Sequence, residues 1–111
     1  MDPRVQRVIL FMENNLCREL SLHELARAVN LSVWHLCHIF KIETGTTPIK
    51  HFRLLKIQKA KSLLETSFLS VKEIMNEVGV NDESHFVREF KKACNLTPTQ
   101  YRSRHLRPAK N

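Results

Sequence analysis

Apolar residues recur at helical spacing along almost the whole chain, and one stretch of the pattern occurs twice. Leu22, Leu25, Ala26 and Val29 fall at i, i+3, i+4 and i+7, and Val71, Ile74, Met75 and Val78 do the same. The segment from Ser21 to Asn30 aligns with that from Ser70 to Gly79 at an offset of 49, and Phe40-Lys41 through Thr47-Pro48 aligns with Phe90-Lys91 through Thr97-Pro98 at an offset of 50. A repeat of about fifty residues organises the chain, with one extra residue just after the second turn.

Each copy starts with a specified helix. Ser21 and Ser70 stand as N-caps, and Glu24 and Glu73 three residues on complete capping boxes. Each helix ends at a residue that readily takes the left-handed conformation, Asn30 in the first copy and Gly79 in the second, so a sharp turn into another helix follows. Rotation by about 100° per residue orients that next helix. In the first copy Leu36, Ile39 and Phe40 cluster towards the core, leaving Trp34, His38 and Lys41 opposite and Cys37 on the flank. In the second, Phe86, Phe90 and Ala93 are expected inward, leaving Ser84, Arg88 and Lys91 opposite and Val87 on the flank.

Three further helices complete the pattern. Residues 3 to 16 carry Val5, Val8, Ile9 and Met12 at helical spacing behind Asp2 as cap and Pro3 at the first position. Residues 48 to 66 begin after Thr47 with Pro48 and form a strut of about 28 Å at about 1.5 Å per residue. Pro98 to about His105 forms a short helix with Tyr101 packed, before a basic tail of Arg102, Arg104, Arg107 and Lys110. The expected fold is all-α: two helix-turn-helix subdomains, about seven helices in all, joined by a long linker helix. Its expected parts are residues 1–47, the linker 48–66, and residues 67–111.

Composition narrows the chemistry. The 18 Lys and Arg against 11 acidic residues give a formal charge of +7, which favours a polyanionic partner. No apolar run is long enough for a membrane span, and the first residues lack a signal-peptide pattern. Cys17, Cys37 and Cys94 show no paired spacing for zinc or redox work, which fits a reducing cytoplasm; Cys17 and Cys94 are expected to be buried small apolar groups. His35, Cys37 and His38 lie within one turn, but His35 points around the helix from the other two, so no metal site is expected. No nucleophile with a base, carboxylate pair or Gly-rich phosphate loop is present, so neither an enzyme nor a cofactor is expected.

A helix fits the major groove, about 12 Å wide, and successive major-groove faces on one side of B-DNA recur about every 34 Å. Two exposed helices joined by the strut therefore suit adjacent groove segments on double-stranded DNA. Their unlike faces predict an asymmetric site and a monomeric DNA-binding part, unless a preceding domain dimerises.

These residues support a named resemblance. Leu25-Ala26, Trp34-His35-Leu36, Phe40-Lys41 and Glu43-Thr44-Gly45, then Ala60 and Leu63-Leu64, then Val78 through Phe86, Phe90-Lys91-Lys92, Leu96-Thr97-Pro98 and Tyr101-Arg102 resemble the AraC/XylS family of transcription regulators over about residues 5 to 104. The resemblance implies a bacterial DNA-binding regulator of the cytoplasm and nucleoid, more often an activator, usually preceded by a sensory domain. The chain is then a stand-alone regulator or the C-terminal part of a longer one. Carried over position by position, the base-reading helices are residues 33–44 and 82–94, and the groove-facing positions are Trp34, Cys37, His38, Glu83, Ser84, Val87 and Arg88. Cys37 and His38 stand where relatives often carry long polar or Arg side chains, so base preference does not transfer.

Each position also has a plainer reading. Trp34 is either core or groove-facing, and its register opposite Leu36 and Phe40 favours apolar contact with thymine methyls. Arg88 is either a solvated charge or a guanine reader, the commonest specific pairing. His38 divides evenly between contact with base or phosphate and plain exposure. Lys41, Lys91 and Lys92 suit phosphates better than bases. Glu83 either favours the helix start or accepts from cytosine N4, with the first preferred. The rival function is a helical module that binds protein, such as RNA polymerase, without reading DNA.

Overall fold

The structure is a computed structural model and describes residues 1–105. Arg107 and Lys110 of the expected tail lie outside the described residues. Seven helices and no strand are present among the described residues: α1 (Pro3–Glu13), α2 (Leu22–Ala28), α3 (Val33–Thr44), α4 (Pro48–Thr66), α5 (Val71–Glu77), α6 (Glu83–Cys94) and α7 (Pro98–His105).

Local chemistry sets the boundaries. Ser21 Oγ accepts from the Glu24 N–H at 3.1 Å while the Ser21 N–H donates to the Glu24 carboxylate, and Ser70 and Glu73 make the same reciprocal pair. The hydrogen bond from the Ser70 backbone holds the Glu73 carboxyl below its ordinary pKa. Thr97 and Gln100 form a third such box at the start of α7, again with both bonds present.

The turns after α2 and α5 share one pair of closing bonds. The Leu31 N–H donates to Ala26 O at 3.0 Å and the Asn30 N–H to Arg27 O; the Val80 N–H donates to Met75 O at 2.8 Å and the Gly79 N–H to Asn76 O. This six-to-one and five-to-two pairing is a Schellman turn, and it requires a left-handed residue. Asn30 takes φ 57° and Gly79 φ 68°. The ends of α3 and α6 use the same conformation with the residue types exchanged, Gly45 at φ 80° and Asn95 at φ 63°.

Two compact units result, residues Met1–Leu55 and a second beginning at Lys56. In the first, Val5, Val8 and Met12 of α1 pack with Leu25, Leu36, Phe40 and Phe52. In the second, Ile57, Ala60 and Leu64 pack with Ile74, Phe86, Phe90 and Tyr101. The helix α4 thus gives its first residues to one core and its later residues to the other. The repeat extends past the Thr-Pro pair to the residue that closes each core. Phe40 meets His51 edge-on at 5.4 Å between ring centroids, and Phe90 meets Tyr101 edge-on at 5.5 Å, fifty residues on.

Four expectations need correction. The first helix ends at Glu13 rather than residue 16, because the Asn15 side chain takes the Phe11 carbonyl at 2.7 Å and turns the chain out of the helix. Ala93 is exposed, and Cys94 is covered in its place, packed against the second core and close enough to Tyr101 to oppose its ionisation. In the last turn of α6 the covered direction is set by α7 rather than by the layer around Phe86. Cys17 is exposed, since it lies in the turn that follows α1. Arg102 is not part of a free basic tail: its guanidinium donates to Leu64 O at 3.3 Å and Ser67 O at 3.2 Å, satisfying carbonyls at the end of α4.

Candidate nucleic-acid interface

The second helix of each repeat carries the candidate residues. Each starts on a side-chain cap, Ser32 accepting from the His35 N–H at 3.1 Å and Asp82 from the His85 N–H at 3.0 Å. Capping fixes the rotation of the first turn, so the register of the exposed face follows from the buried one. Leu36 and Phe40 anchor α3, and Phe86 and Phe90 anchor α6.

On α3 the outward face holds Trp34, His38 and Lys41, with Cys37 half-buried on the flank. Trp34 is 73% exposed, which settles its position: this tryptophan is not core. Its indole stacks on the His38 imidazole, with ring centroids 5.1 Å apart and planes 7° from parallel. On α6 the matching face holds Glu83, Ser84 and Arg88, all exposed, with Val87 half-buried on the flank and Lys91 and Lys92 exposed in the last turn. No hydrogen bond or ion pair engages Arg88, Lys41, Lys91 or Lys92 among the described residues. The two faces correspond residue for residue at an offset of 50, Trp34 to Ser84 and His38 to Arg88.

Cations without hydrogen bond or ion pair among the described residues, on an exposed helix face behind a capped N-terminus and a left-handed turn, have the chemistry to meet phosphates and base edges. A family defined as a helix-turn-helix domain matches residues 25–104. The chain belongs to the AraC-type helix-turn-helix family. It is 42% identical over 94 residues to the MmsAB operon regulatory protein of Pseudomonas aeruginosa, a match covering 85% of this chain and 31% of that protein. The chain thus spans about a third of the length of this curated relative. Among solved structures it is similar to the C-terminal domain of AraT, a response regulator from Geobacillus stearothermophilus, with TM-score 0.92, 28% identity, and coverage of 99% of this chain and 92% of that one. The DNA-binding domain of the global transcriptional factor AdpA, solved in complex with a target DNA, shares the fold at TM-score 0.86 and 23% identity, covering 91% of each chain.

As a member of the AraC-type family, the chain is a DNA-binding module of transcription regulation and not an enzyme. The described residues hold no cluster of three or more His, Cys, Asp or Glu suited to a metal, and no described helix is long and apolar enough to cross a membrane. Cys37 is half-buried on α3, and burial pushes the Cys94 thiol up, with Lys61 opposing. Sequence reasoning missed two features of this AraC-type domain. One is the Trp34–His38 stack, whose signal was the i, i+4 spacing of two rings on one face. The other is the edge-on packing of half-buried His51 against Phe40, whose signal was the repeat carried three residues further, where His51 matches Tyr101.

Proposed function

We propose that α3 and α6 are the two base-reading helices of a sequence-specific double-stranded DNA site, each entering one of two adjacent major-groove segments. Trp34 meets thymine methyls, with Cys37 and His38 beside it; Arg88 reads guanine, with Glu83, Ser84 and Val87 around it. Lys41, Lys91 and Lys92 neutralise phosphates. The observation that carries this reading is the matched exposure of the two faces at an offset of 50, their cations without hydrogen bond or ion pair among the described residues, and each face opposite a buried aromatic anchor. The complex of AdpA with its target DNA supports it by likeness of fold.

In this reading residues 1–47 and 67–111 are the two reading modules and 48–66 the linker. By itself this DNA-binding part occupies an asymmetric site on the bacterial nucleoid as a monomer, and a preceding domain that dimerises would pair two such sites. Contact with RNA polymerase and activation of transcription belong to the same proposal. The first test is salt. Affinity for a duplex falls steeply as salt rises, with a log-log slope of about 0.9 per phosphate neutralised, whereas a flat response refutes the proposal and favours a protein-binding module.

A further inference from the structure

We propose that His38 is a positioning residue for Trp34, holding the indole in its docking orientation instead of reading a base with its own nitrogens. This rests on the reading of α3 as a base-reading helix. A tryptophan that is 73% exposed has no core packing to fix its side-chain torsions. Left alone it samples several rotamers, and docking on DNA then has to select one of them. The imidazole four residues later removes that freedom. Helical side chains lean towards the N-terminus, so the ring of residue i+4 comes back over that of residue i. Here the planes lie 7° from parallel with centroids 5.1 Å apart, the offset arrangement that aromatic pairs favour. One face of the indole is covered by His38, and its other face and outer edge remain for the groove.

The second repeat supplies the contrast. At the matching positions stand Ser84 and Arg88, with no ring to stack, and Arg88 is exposed without a partner among the described residues. No hydrogen bond or ion pair engages the His38 ring among the described residues, so its contact with Trp34 is what places it. The two faces therefore divide the work, a flat aromatic ledge in the first repeat and an extended cation in the second. The ledge suits the C5-methyl edge of thymine, which offers surface and no hydrogen bond.

Trp34 is the sole tryptophan, so its emission reports on the stack without labelling. The whole chain is compared with H38A, H38Q, H38F, W34A and W34A/H38A. In the free proteins, H38A and H38Q lower the fluorescence anisotropy of Trp34 and raise its quenching by acrylamide, while H38F restores both. The thermal unfolding midpoint of these exposed-site variants stays that of the parent. On a duplex selected by the parent from a random pool, H38A and H38Q each lose about threefold to tenfold in affinity, H38F retains it, and W34A/H38A is no weaker than W34A. Unchanged Trp34 anisotropy and quenching in H38A overturn the proposal whatever the DNA shows. Retention of affinity by H38Q with loss by H38F also overturns it, in favour of direct polar reading. A W34A variant that binds the selected duplex as tightly as the parent refutes instead the reading of α3 on which the proposal stands.

Discussion

Arg88 and Lys91 lie three residues apart on the exposed side of α6, and the physics of their expected contacts differs. A guanidinium that bonds O6 and N7 of guanine discriminates among bases, whereas an ammonium near phosphate senses only charge. Arg88→Ala is expected to cost about 1 to 3 kcal/mol and to relax preference at one base pair; Lys91→Ala is expected to weaken binding about equally on all sequences and to reduce the salt slope by about one. Binding titrations on a selected duplex and on single-substitution duplexes check both. The direction of these side chains was legible in the sequence because Phe86 and Phe90 leave a single inward side for the helix. The placement of Trp34 was legible for the same reason, from Leu36 and Phe40. Ala93 and Cys17 were not legible. Helical rotation alone puts Ala93 near Phe86, but the last turn of α6 is covered by α7, and the exposure of Cys17 depends on where α1 stops.

At the scale of elements, side chains at helix ends do much of the specifying. Ser70→Ala removes the Oγ that accepts from the Glu73 N–H at 3.0 Å, and urea denaturation is expected to show a loss of about 1 kcal/mol. Lys56 is buried, and its Nζ donates to Val78 O at 2.6 Å, beside the left-handed Gly79. Lys56→Met leaves the carbonyl at the end of α5 without that donor, with an expected loss of about 1 to 3 kcal/mol in the same assay. Tyr101 binds the second unit through its hydroxyl, which donates to the Glu65 carboxylate. Burial first, and Glu65 second, push its phenol up from 10.0 to about 12. Since the folded value is the raised one, this contribution is complete below about pH 10 and is lost as pH rises through about 12. Tyr101 is the sole tyrosine, so ultraviolet absorbance of the phenolate follows it directly. Ionisation in the folded chain near the ordinary tyrosine value would contradict the part-buried pair with Glu65. Capping boxes and left-handed turns were legible as short motifs. The Lys56 bond and the Arg102 cap were not, because each joins residues far apart in sequence whose meeting depends on the packed unit.

At the scale of the whole chain, a formal charge of +7 and a duplicated helix-turn-helix unit underlie the proposal that the protein meets a polyanion at two places. Its class was legible because the duplication fixes helices, turns and faces together, so each copy checks the other. The assignment of α4 was less legible. Its periodicity is continuous, yet Phe52 belongs to one core and Ile57 to the other. In the proposed mode of binding, two unlike helices read two separate segments of one DNA site. Selection of bound sequences from a random pool, run with the parent, Trp34→Ala and Arg88→Ala, tests it most directly. The expected result is an asymmetric site of about two helical turns, with Trp34→Ala erasing preference in one segment and Arg88→Ala in the other. Loss at the same base pairs in both variants, or no loss in either, would contradict it.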